Sequence, residues 1–379
     1  MTSHDIIVIG TSAGGLAALQ ELVRELPRDL PAAILIVHHT APLTPSILPS
    51  VLEQGSELEV ELAADQSEIH NGRIYIAPPD RHLRIVDGQL RLSQGPKENL
   101  NRPSVDTLFR SAALAFRSRV TAVVLTGTLD DGTAGLWAVK QLGGVTIIQD
   151  PNEAEYPDMP QSAGKYAQID YCLPLTEIGP LLVRLANEPV SDKCNSAAVA
   201  PLELENAIAG GDVEACRSIE KFGKLTAFTC PNCRGSLWEI REGFFLRFRC
   251  AAGHGYTAEC LIAARRQRIE DLLHEAIRAT EENPTLCRYL SEHAREHNNG
   301  LAADHYLCET AENERRAHMI RQFLNEHQKS GALNQMPIEL DALTHGGYSW
   351  LSHRREAGRR LNHTSGSGDD VLVSPAPRP

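Results

Sequence analysis

The pattern of hydrophobic and polar positions changes near residue 188, and before that point it alternates between strand-like and helix-like stretches. Continuous apolar runs stand at DIIVIG, AAILIVHH, RIYIAPP, VTAVVLTG and VTIIQD, with helical patterns such as SVDTLFRSAALAF among them. Apolar strands separated by helices are typical of a parallel sheet that is covered on both faces. The pattern therefore predicts an α/β fold with a doubly wound, mostly parallel sheet. A polar interruption around Asp87-Gly88 predicts a β-hairpin.

Beyond residue 188 the pattern predicts smaller units. The small, polar stretch ANEPVSDKCNSAAVAP predicts a linker, from which we expect the parts that follow to pack as separate units with a small interface. Residues 259 to 328 predict two helices separated near Glu281 to Pro284, with a further interruption at Asn298 to Gly300. The predicted domains are an α/β domain (1–188), a linker with a short helix (189–220), a Cys/His segment (221–262), a helical region (263–328) and a largely irregular or disordered tail (329–379).

Composition narrows the setting of these domains. No apolar run is long enough to span a bilayer and no secretion signal begins the 379-residue chain, so we expect a cytoplasmic protein without membrane insertion. Nine cysteines in such a chain favour thiols or metal ligands over disulfides. A net charge of -12 disfavours nucleic acid as a partner, because the phosphate backbone would be repelled.

The stretch IIVIGTSAGG carries Gly10-x-Ser12-x-Gly14 directly after the first predicted strand. This spacing is that of a nucleophile elbow, in which a tight turn projects a serine at the N-terminus of a helix. The alternative is a glycine turn that binds the phosphates of a nucleotide. The motif alone leaves both interpretations open. It is not G-x-G-x-x-G, however, and the second strand does not end in the carboxylate that would bind a ribose.

Two further strand ends favour the nucleophile. The second strand runs into His38-His39, and a later one into Asp130-Asp131. Because the carboxyl ends of strands in a doubly wound sheet meet in one crevice, a serine, a histidine and an aspartate can converge there. The order Ser…His…Asp differs from the order in α/β-hydrolases and disfavours that family.

These segments resemble the chemotaxis protein-glutamate methylesterases of CheB type. VIGTSAGG, VHHTAP, LTGTLDDGTAGL, GRIYIAPPDRHL and NRPSVDTLFRSAA are similar to characteristic stretches of the family, in the same order, over roughly residues 4 to 185. The resemblance implies Ser12 as nucleophile, His39 as base and Asp131 as the carboxylate of the triad. It places Thr128 beside the site, where its N–H can serve the oxyanion. Ala13 departs from the threonine that the family commonly has after the serine.

The resemblance also implies a function and partners. Its members hydrolyse glutamyl γ-methyl esters on chemoreceptors or related signalling proteins, with deamidation of glutamines as a second activity, and need no cofactor for catalysis. A CheR-type methyltransferase would act in the same pathway. The first strand begins at Asp5, so a stand-alone member without a receiver domain is expected. A non-catalytic nucleotide- or phosphate-binding signalling module, or an adaptor built on the C-terminal parts, remains as the alternative.

The Cys/His segment predicts a structural zinc site of the zinc-ribbon type. Cys230-x-x-Cys233 and Cys250-x-x-x-His254 are two ligand pairs separated by a hairpin-length stretch. Cys260 is a reserve ligand. The resemblance extends to such a segment, which follows the catalytic domain in some stand-alone relatives. Three further residues leave two interpretations open: His293 and His297 suggest a second metal site or a polar helix face, and Arg102 suggests a substrate contact or a helix cap.

Overall fold

The computed structural model describes residues 3–41, 46–190, 195–242 and 245–331, and its N-terminal region alternates between strands and helices. In chain order these elements are β1 (Ile6–Thr11), α1 (Gly15–Arg24), β2 (Ala33–His38), α2 (Leu48–Glu53), β3 (Glu59–Leu62), β4 (Arg73–Ile76), β5 (His82–Val86), β6 (Gln89–Ser93), α3 (Val105–Phe116), β7 (Val120–Val124), α4 (Thr133–Gln141), β8 (Val145–Gln149), α5 (Asp158–Tyr166), β9 (Tyr171–Leu173) and α6 (Leu175–Asn187). A short 3-10 helix at Arg117–Arg119 leads into β7.

Seven of these strands form one parallel sheet in the order β3-β4-β2-β1-β7-β8-β9. The predicted doubly wound α/β fold is therefore confirmed. The hairpin β5-β6 turns at Asp87-Gly88 as predicted and pairs apart from the large sheet. The strand order reverses between β1 and β7, so the carboxyl ends of β2, β1 and β7 lie side by side where such sheets bind ligands.

Alternate side chains of the central strands supply two separate cores. Ile6 and Val8 of β1 face a core shared with α3 and α4, whereas Ile7 and Ile9 face a core shared with α1 and α6. All four are almost completely buried. The absence of a polar face explains why the strands appear in the sequence as continuous apolar runs.

The C-terminal half contains more structure than the sequence predicts. Its elements are α7 (Val199–Ala209), α8 (Val213–Arg217), β10 (Lys224–Thr229), β11 (Ser236–Glu242), β12 (Phe245–Cys250), β13 (Gly255–Thr257), α9 (Ala258–Glu296) and α10 (Gly300–Gly331), with short 3-10 helices at Ser196–Ala198 and Ser218–Lys221. The two helices α7 and α8, together with the two short 3-10 helices, thus occupy most of the predicted linker. The predicted tail beyond residue 331 lies outside the described residues.

The predicted helical region is confirmed, but the predicted break at Glu281 to Pro284 is wrong. Pro284 lies inside α9, and the helix ends at Glu296. The break falls at the second predicted site, where Asn298 adopts a left-handed backbone with φ 58 and the side chain of Asn299 accepts a hydrogen bond from the N–H of Ala302. Asparagine tolerates this conformation and caps helices well, so it separates the two helices better than the proline does.

The strands β10 to β13 form a four-stranded antiparallel sheet, which belongs to the compact unit that ends at Leu272. The expectation of separate packing is therefore wrong for the Cys/His segment. Buried carboxylates of the α/β domain and of α7 pair with guanidinium groups of α3 and β12 in one ionic cluster, formed by Glu98, Arg110, Glu205, Arg247 and Arg249. Buried ions require partners of opposite charge, and these ion pairs link the Cys/His segment to the α/β domain.

The second compact unit begins at Leu273. Within it, Arg288 pairs with Glu314 at 2.6 Å and the hydroxyl of Ser291 donates to the carbonyl of Ala303 at 3.0 Å. These contacts join α9 to α10. None of the helices in the described part of the chain is both long and apolar enough to cross a membrane.

Candidate active site and metal centre

Ser12 lies in the turn between β1 and α1. Its N–H donates to the carbonyl of Thr126 at 3.0 Å, which ties the turn to the exit of β7. Gly14, the N-cap residue of α1, takes a left-handed φ of 73, a conformation that favours glycine. A Cβ atom on Gly127 would lie 2.9 Å from the Cβ atom of Ser12, so this close approach also requires glycine. The half-buried serine therefore stands at the start of a fixed turn, directly after β1.

Backbone N–H groups beside Ser12 remain available to an oxyanion. Within the described residues, the N–H groups of Ala13 and Thr128 donate to no protein acceptor, whereas the N–H of Gly127 is taken by the carbonyl of Tyr156 at 2.9 Å. Thr128 is exposed. Helix α1 begins two residues after Ala13, so the positive end of its dipole adds to the attraction for negative charge.

His39 and Asp131 are brought together as the sequence predicts. His39 Nε2 lies 2.9 Å from Asp131 Oδ2, and the N–H of His39 donates to the carbonyl of Thr11 at 3.1 Å. Because a carboxylate only accepts, the Nε2 atom carries the proton and Nδ1 is left as the basic nitrogen. Among the described residues there is no hydrogen bond between the hydroxyl of Ser12 and His39.

The carboxylate of Asp131 caps the N-terminus of α3. Its Oδ1 accepts from Asn99 Nδ2 at 2.9 Å, from Ser104 Oγ at 2.9 Å and from the N–H of Asp106 at 3.2 Å, and its Oδ2 accepts from the N–H of Val105 at 2.8 Å. Burial alone would raise the pKa of Asp131, but these donors and the hydrogen bond and charge of the imidazole hold it below its ordinary value. Asp131 therefore stays ionised beside the histidine.

His38 and Asp130 precede His39 and Asp131 in the chain, but their surroundings differ from those of the pair. Burial, with a smaller effect of His39, lowers the pKa of His38 to about 4, so this ring is neutral at neutral pH. A Cβ atom on Gly15 would lie 3.0 Å from its Nδ1 atom. Asp130 accepts from Thr257 Oγ1 at 2.7 Å and from Cys260 Sγ at 3.0 Å, both on Oδ1. His38 and Asp130 therefore do not take part in the His39–Asp131 pair.

Sequence reasoning missed Asn99 and Asp106, which hold the carboxylate in place. Asn99 Nδ2 donates to Asp106 Oδ2 at 2.7 Å as well as to Asp131, and Asp106 Oδ1 accepts from the N–H groups of Gly132 and Gly135 at 3.0 and 2.6 Å. Burial, together with the charges of Asp131 and Glu98, raises the pKa of Asp106 well above its ordinary value. The signal was the polar segment ENLNRPSVD, which leads into the first residues of α3.

Arg102 has a structural environment. Its Nε and Nη2 atoms donate to Asp80 Oδ1 at 2.9 and 2.8 Å, and Nη1 donates to the carbonyls of Gln94 and Gly95 at 3.2 and 2.8 Å. These bonds hold the loop that leads to α3. They favour the structural interpretation over a substrate contact.

The four predicted metal ligands lie together. One ligand atom from each of Cys230, Cys233, Cys250 and His254 is within 4.8 Å of the others. The Sγ atoms of Cys233 and Cys250 are 3.6 Å apart, and His254 Nδ1 lies 3.5 Å from Cys250 Sγ and 3.8 Å from Cys230 Sγ. Tetrahedral zinc with bonds of about 2.0 to 2.3 Å requires ligand separations of roughly 3.5 to 3.8 Å. The donor set and its spacing therefore fit zinc.

The other candidate ligands lie in different surroundings. Cys260 is fully buried against Asp130 and is not a member of the four-residue cluster, so its assignment as a reserve ligand is wrong. His293, Glu296 and His297 are near one another but all exposed, and His297 Nδ1 bonds to the carbonyl of His293 at 2.9 Å. This nitrogen is engaged by the helix, which favours a polar helix face.

Comparisons with known proteins identify relatives of the N-terminal half of the chain. The sequence model described as CheB methylesterase matches residues 7–182. A relative from Leptospira interrogans, named as a candidate protein-glutamate methylesterase/protein-glutamine glutaminase, is 36% identical over 184 residues, which are 48% of this chain and 95% of that protein. The protein-glutamate methylesterase/protein-glutamine glutaminase of Thermotoga maritima is 37% identical over 187 residues, covering 48% of this chain and 54% of that protein.

A solved structure is also similar to this chain. The crystal structure of the Thermotoga maritima CheB methylesterase catalytic domain is 38% identical and covers 48% of this chain and 98% of that chain, with a TM-score of 0.46. The matched residues 7–182 include the strand ends that carry Ser12, His39 and Asp131. On the strength of the family match and the relative covered over 95% of its length, the chain belongs to the CheB methylesterase family.

Proposed function

We propose that the protein is a serine hydrolase that demethylates glutamyl γ-methyl esters through a triad of Ser12, His39 and Asp131. The observation that supports this most is the 2.9 Å pair of His39 Nε2 and Asp131 Oδ2 at the strand end next to the serine turn. A nucleotide-binding turn has no need of an imidazole oriented by a buried carboxylate, whereas a serine nucleophile does.

The arrangement supports a two-step mechanism. Ser12 Oγ attacks the γ-carbonyl carbon while His39 Nδ1 takes its proton, and Asp131 stabilises the imidazolium that forms. The N–H groups of Ala13 and Thr128 stabilise the oxyanion. His39 then gives the proton to the leaving methoxide, methanol departs, and water hydrolyses the acyl-enzyme by the same route. Attack on a glutamine side chain would release ammonia instead.

The substrate class follows from the family. Relatives are named protein-glutamate methylesterase/protein-glutamine glutaminase. We infer that this chain acts on a methylated chemoreceptor or a related signalling protein that a CheR-type methyltransferase modifies. Hydrolysis itself needs no cofactor, because the triad supplies the nucleophile and the base, and the N–H groups of Ala13 and Thr128 stabilise the oxyanion.

The experiment is to measure release of methanol from a methylated receptor fragment. Ser12→Ala and His39→Ala should lower kcat by several orders of magnitude, as loss of a triad member does. His38→Ala is the matched control, since it removes the adjacent imidazole, and it should keep most of the activity. Ser12 should also be labelled by an active-site phosphonate. Full activity of Ser12→Ala would refute the proposed mechanism.

We also propose that Cys230, Cys233, Cys250 and His254 bind one structural zinc ion. The spacing of their donor atoms supports a closed site without room for a reactive water. When bound, the ion holds the β10–β11 turn against the turn between β12 and β13.

Metal analysis of protein purified without chelators tests this second proposal. It should find about one zinc per chain, because four ligands complete one tetrahedral site. Cys230→Ser should lower the zinc content and the melting temperature. Cys172→Ser is the matched control, since Cys172 is an exposed free thiol outside the cluster, and it should change neither. Protein without zinc would contradict the proposal.

A further inference from the structure

The short strand β13 lies against the residues that support Asp131. The N–H of Thr257 donates to Asn99 Oδ1 at 3.0 Å, and Asn99 Nδ2 donates to Asp131 Oδ1. Asn99 and Thr257 are almost completely buried. The carbonyl end of the amide is therefore held by the C-terminal segment, and its amino end is directed at the carboxylate.

The backbone of Asn99 is held by the same strand. Its N–H donates to the carbonyl of Gly255 at 2.9 Å, and the N–H of Gly255 donates to the carbonyl of Lys97 at 3.2 Å. Asn99 and Leu100 both have left-handed backbones, with φ 50 and 69. Leucine rarely adopts this conformation, so the surrounding structure has to impose it. Pairing with β13 supplies that constraint.

A second connection reaches the residue before Asp131. Thr257 Oγ1 donates to Asp130 Oδ1 at 2.7 Å and accepts from the N–H of Cys260 at 3.0 Å. Cys260 Sγ contacts the same carboxyl oxygen at 3.0 Å. All these groups are buried, so water cannot replace a missing partner at low cost.

We propose that β13 is a positioning element of the active site, in which Thr257 holds Asn99 and Asp130 and thereby fixes the carboxylate of Asp131 against His39. This inference rests on the proposed triad. Thr257 touches no reacting atom and acts only through its neighbours. A displacement of Asp131 would weaken its hold on the imidazole, which matters most when the imidazole becomes charged in the transition state. The charge on the imidazole develops only after the substrate has bound, so the displacement of Asp131 leaves substrate binding unaffected.

The test compares Thr257→Val with Thr257→Ser in the full chain. Valine keeps the shape but removes the hydroxyl, whereas serine keeps the hydroxyl. With a methylated receptor fragment, and with active sites counted by phosphonate titration, we expect Thr257→Val to lower kcat about tenfold with little change in KM. Thr257→Ser should retain most of the wild-type kcat. Counting sites removes any contribution from misfolded protein.

Hydrogen exchange gives a readout that is independent of activity. The backbone amide of Asn99 should exchange faster in Thr257→Val than in Thr257→Ser, because its acceptor on Gly255 lies on the loosened strand. Equal kcat per site in both variants and the wild type would overturn the positioning role. A wild-type protein without esterase activity, or a fully active Ser12→Ala, would instead refute the triad, and the positioning role with it.

Discussion

Asp130 and Asp131 are adjacent and both buried, yet their surroundings act on their charges in opposite directions. Asp131 accepts hydrogen bonds from the N-terminus of α3 and pairs with His39, so its pKa lies below the ordinary value. Burial raises the pKa of Asp130 to about 7, although hydrogen bonds from Cys260 and Thr257 oppose this effect. Neighbouring carboxyl groups thus have two roles: Asp131 is a charged partner for the base, and Asp130 is a link to β13 that keeps its proton up to a much higher pH than an ordinary aspartate does.

The raised pKa of Asp130 predicts a decline in stability between about pH 4 and pH 7. In this range the folded state binds the proton of Asp130 more tightly than the unfolded state does, so the free energy of unfolding falls as the pH rises. Asp130→Asn resembles the protonated acid, can still accept from Thr257, and lacks this proton. The free energy of unfolding of the variant, relative to that of the wild type, should therefore rise by up to about 4 kcal/mol between pH 4 and pH 8, at roughly 1.4 kcal/mol for each pKa unit.

Urea unfolding of the wild type and of Asp130→Asn across this pH range measures the difference between their free energies of unfolding. Other titrating groups cancel, because they are common to both proteins. Asp170→Asn provides a comparison, since this aspartate is partly exposed and pairs with Lys140. If the difference in free energy of unfolding between the wild type and Asp130→Asn did not depend on pH, the prediction that Asp130 titrates near neutrality would be wrong.

At the scale of elements, the start of α3 connects the packing of the α/β domain to the position of Asp131 in the candidate active site. Val105 lies against β1 so closely that a Cβ atom on Gly10 would stand 2.1 Å from its Cγ1 atom. This contact brings the first N–H groups of α3 to Asp131. The glycine that precedes Ser12 by two positions therefore also admits the helix that caps the aspartate.

The sequence predicts the parts of the site that lie at the ends of apolar strands or in spaced ligand pairs. Ser12, His39 and Asp131 belong to the first kind, and Cys230 with its three partners belongs to the second. The contact between Asn99 and Thr257 is of neither kind, because it joins a loop to a three-residue strand 158 residues away. Hydrophobic periodicity carries no information about such a pair, and small polar residues in loops are usually solvated.

At the scale of the whole molecule, the unit that ends at Leu272 shares one buried ionic cluster. Burial alone would raise the pKa of Glu205, but the charges of Arg247, Arg110 and Arg249 lower it to about 2. Glu98 is likewise held well below its ordinary pKa by Arg110 and Arg249 against the effect of burial. Removing some of these partners leaves uncompensated buried charge, which typically costs about 3 to 5 kcal/mol.

The cluster and β13 together predict how the chain responds to truncation. A chain that ends at residue 190 loses Glu205, β12 and β13, so Arg110 keeps only Glu98 and Asn99 loses both of its contacts with β13. We expect it to melt at a lower temperature and to have a kcat per titrated site at least about tenfold below that of the full chain. A chain that ends at residue 272 keeps the complete unit and should retain the full-length kcat.

Steady-state hydrolysis of the same methylated receptor fragment by the three chains shows whether kcat depends on the segment that follows the α/β domain. Phosphonate titration corrects each rate for the fraction of folded sites, so that a low kcat cannot arise from misfolded protein alone. If the C-terminal segment served only to recruit the receptor, the 190-residue chain would keep its kcat and show a higher KM. That result would place the support of Asp131 entirely within the α/β domain. A fall in kcat at constant KM that appears at residue 190 but not at residue 272 would instead assign part of the catalytic geometry to the segment that carries the metal ligands.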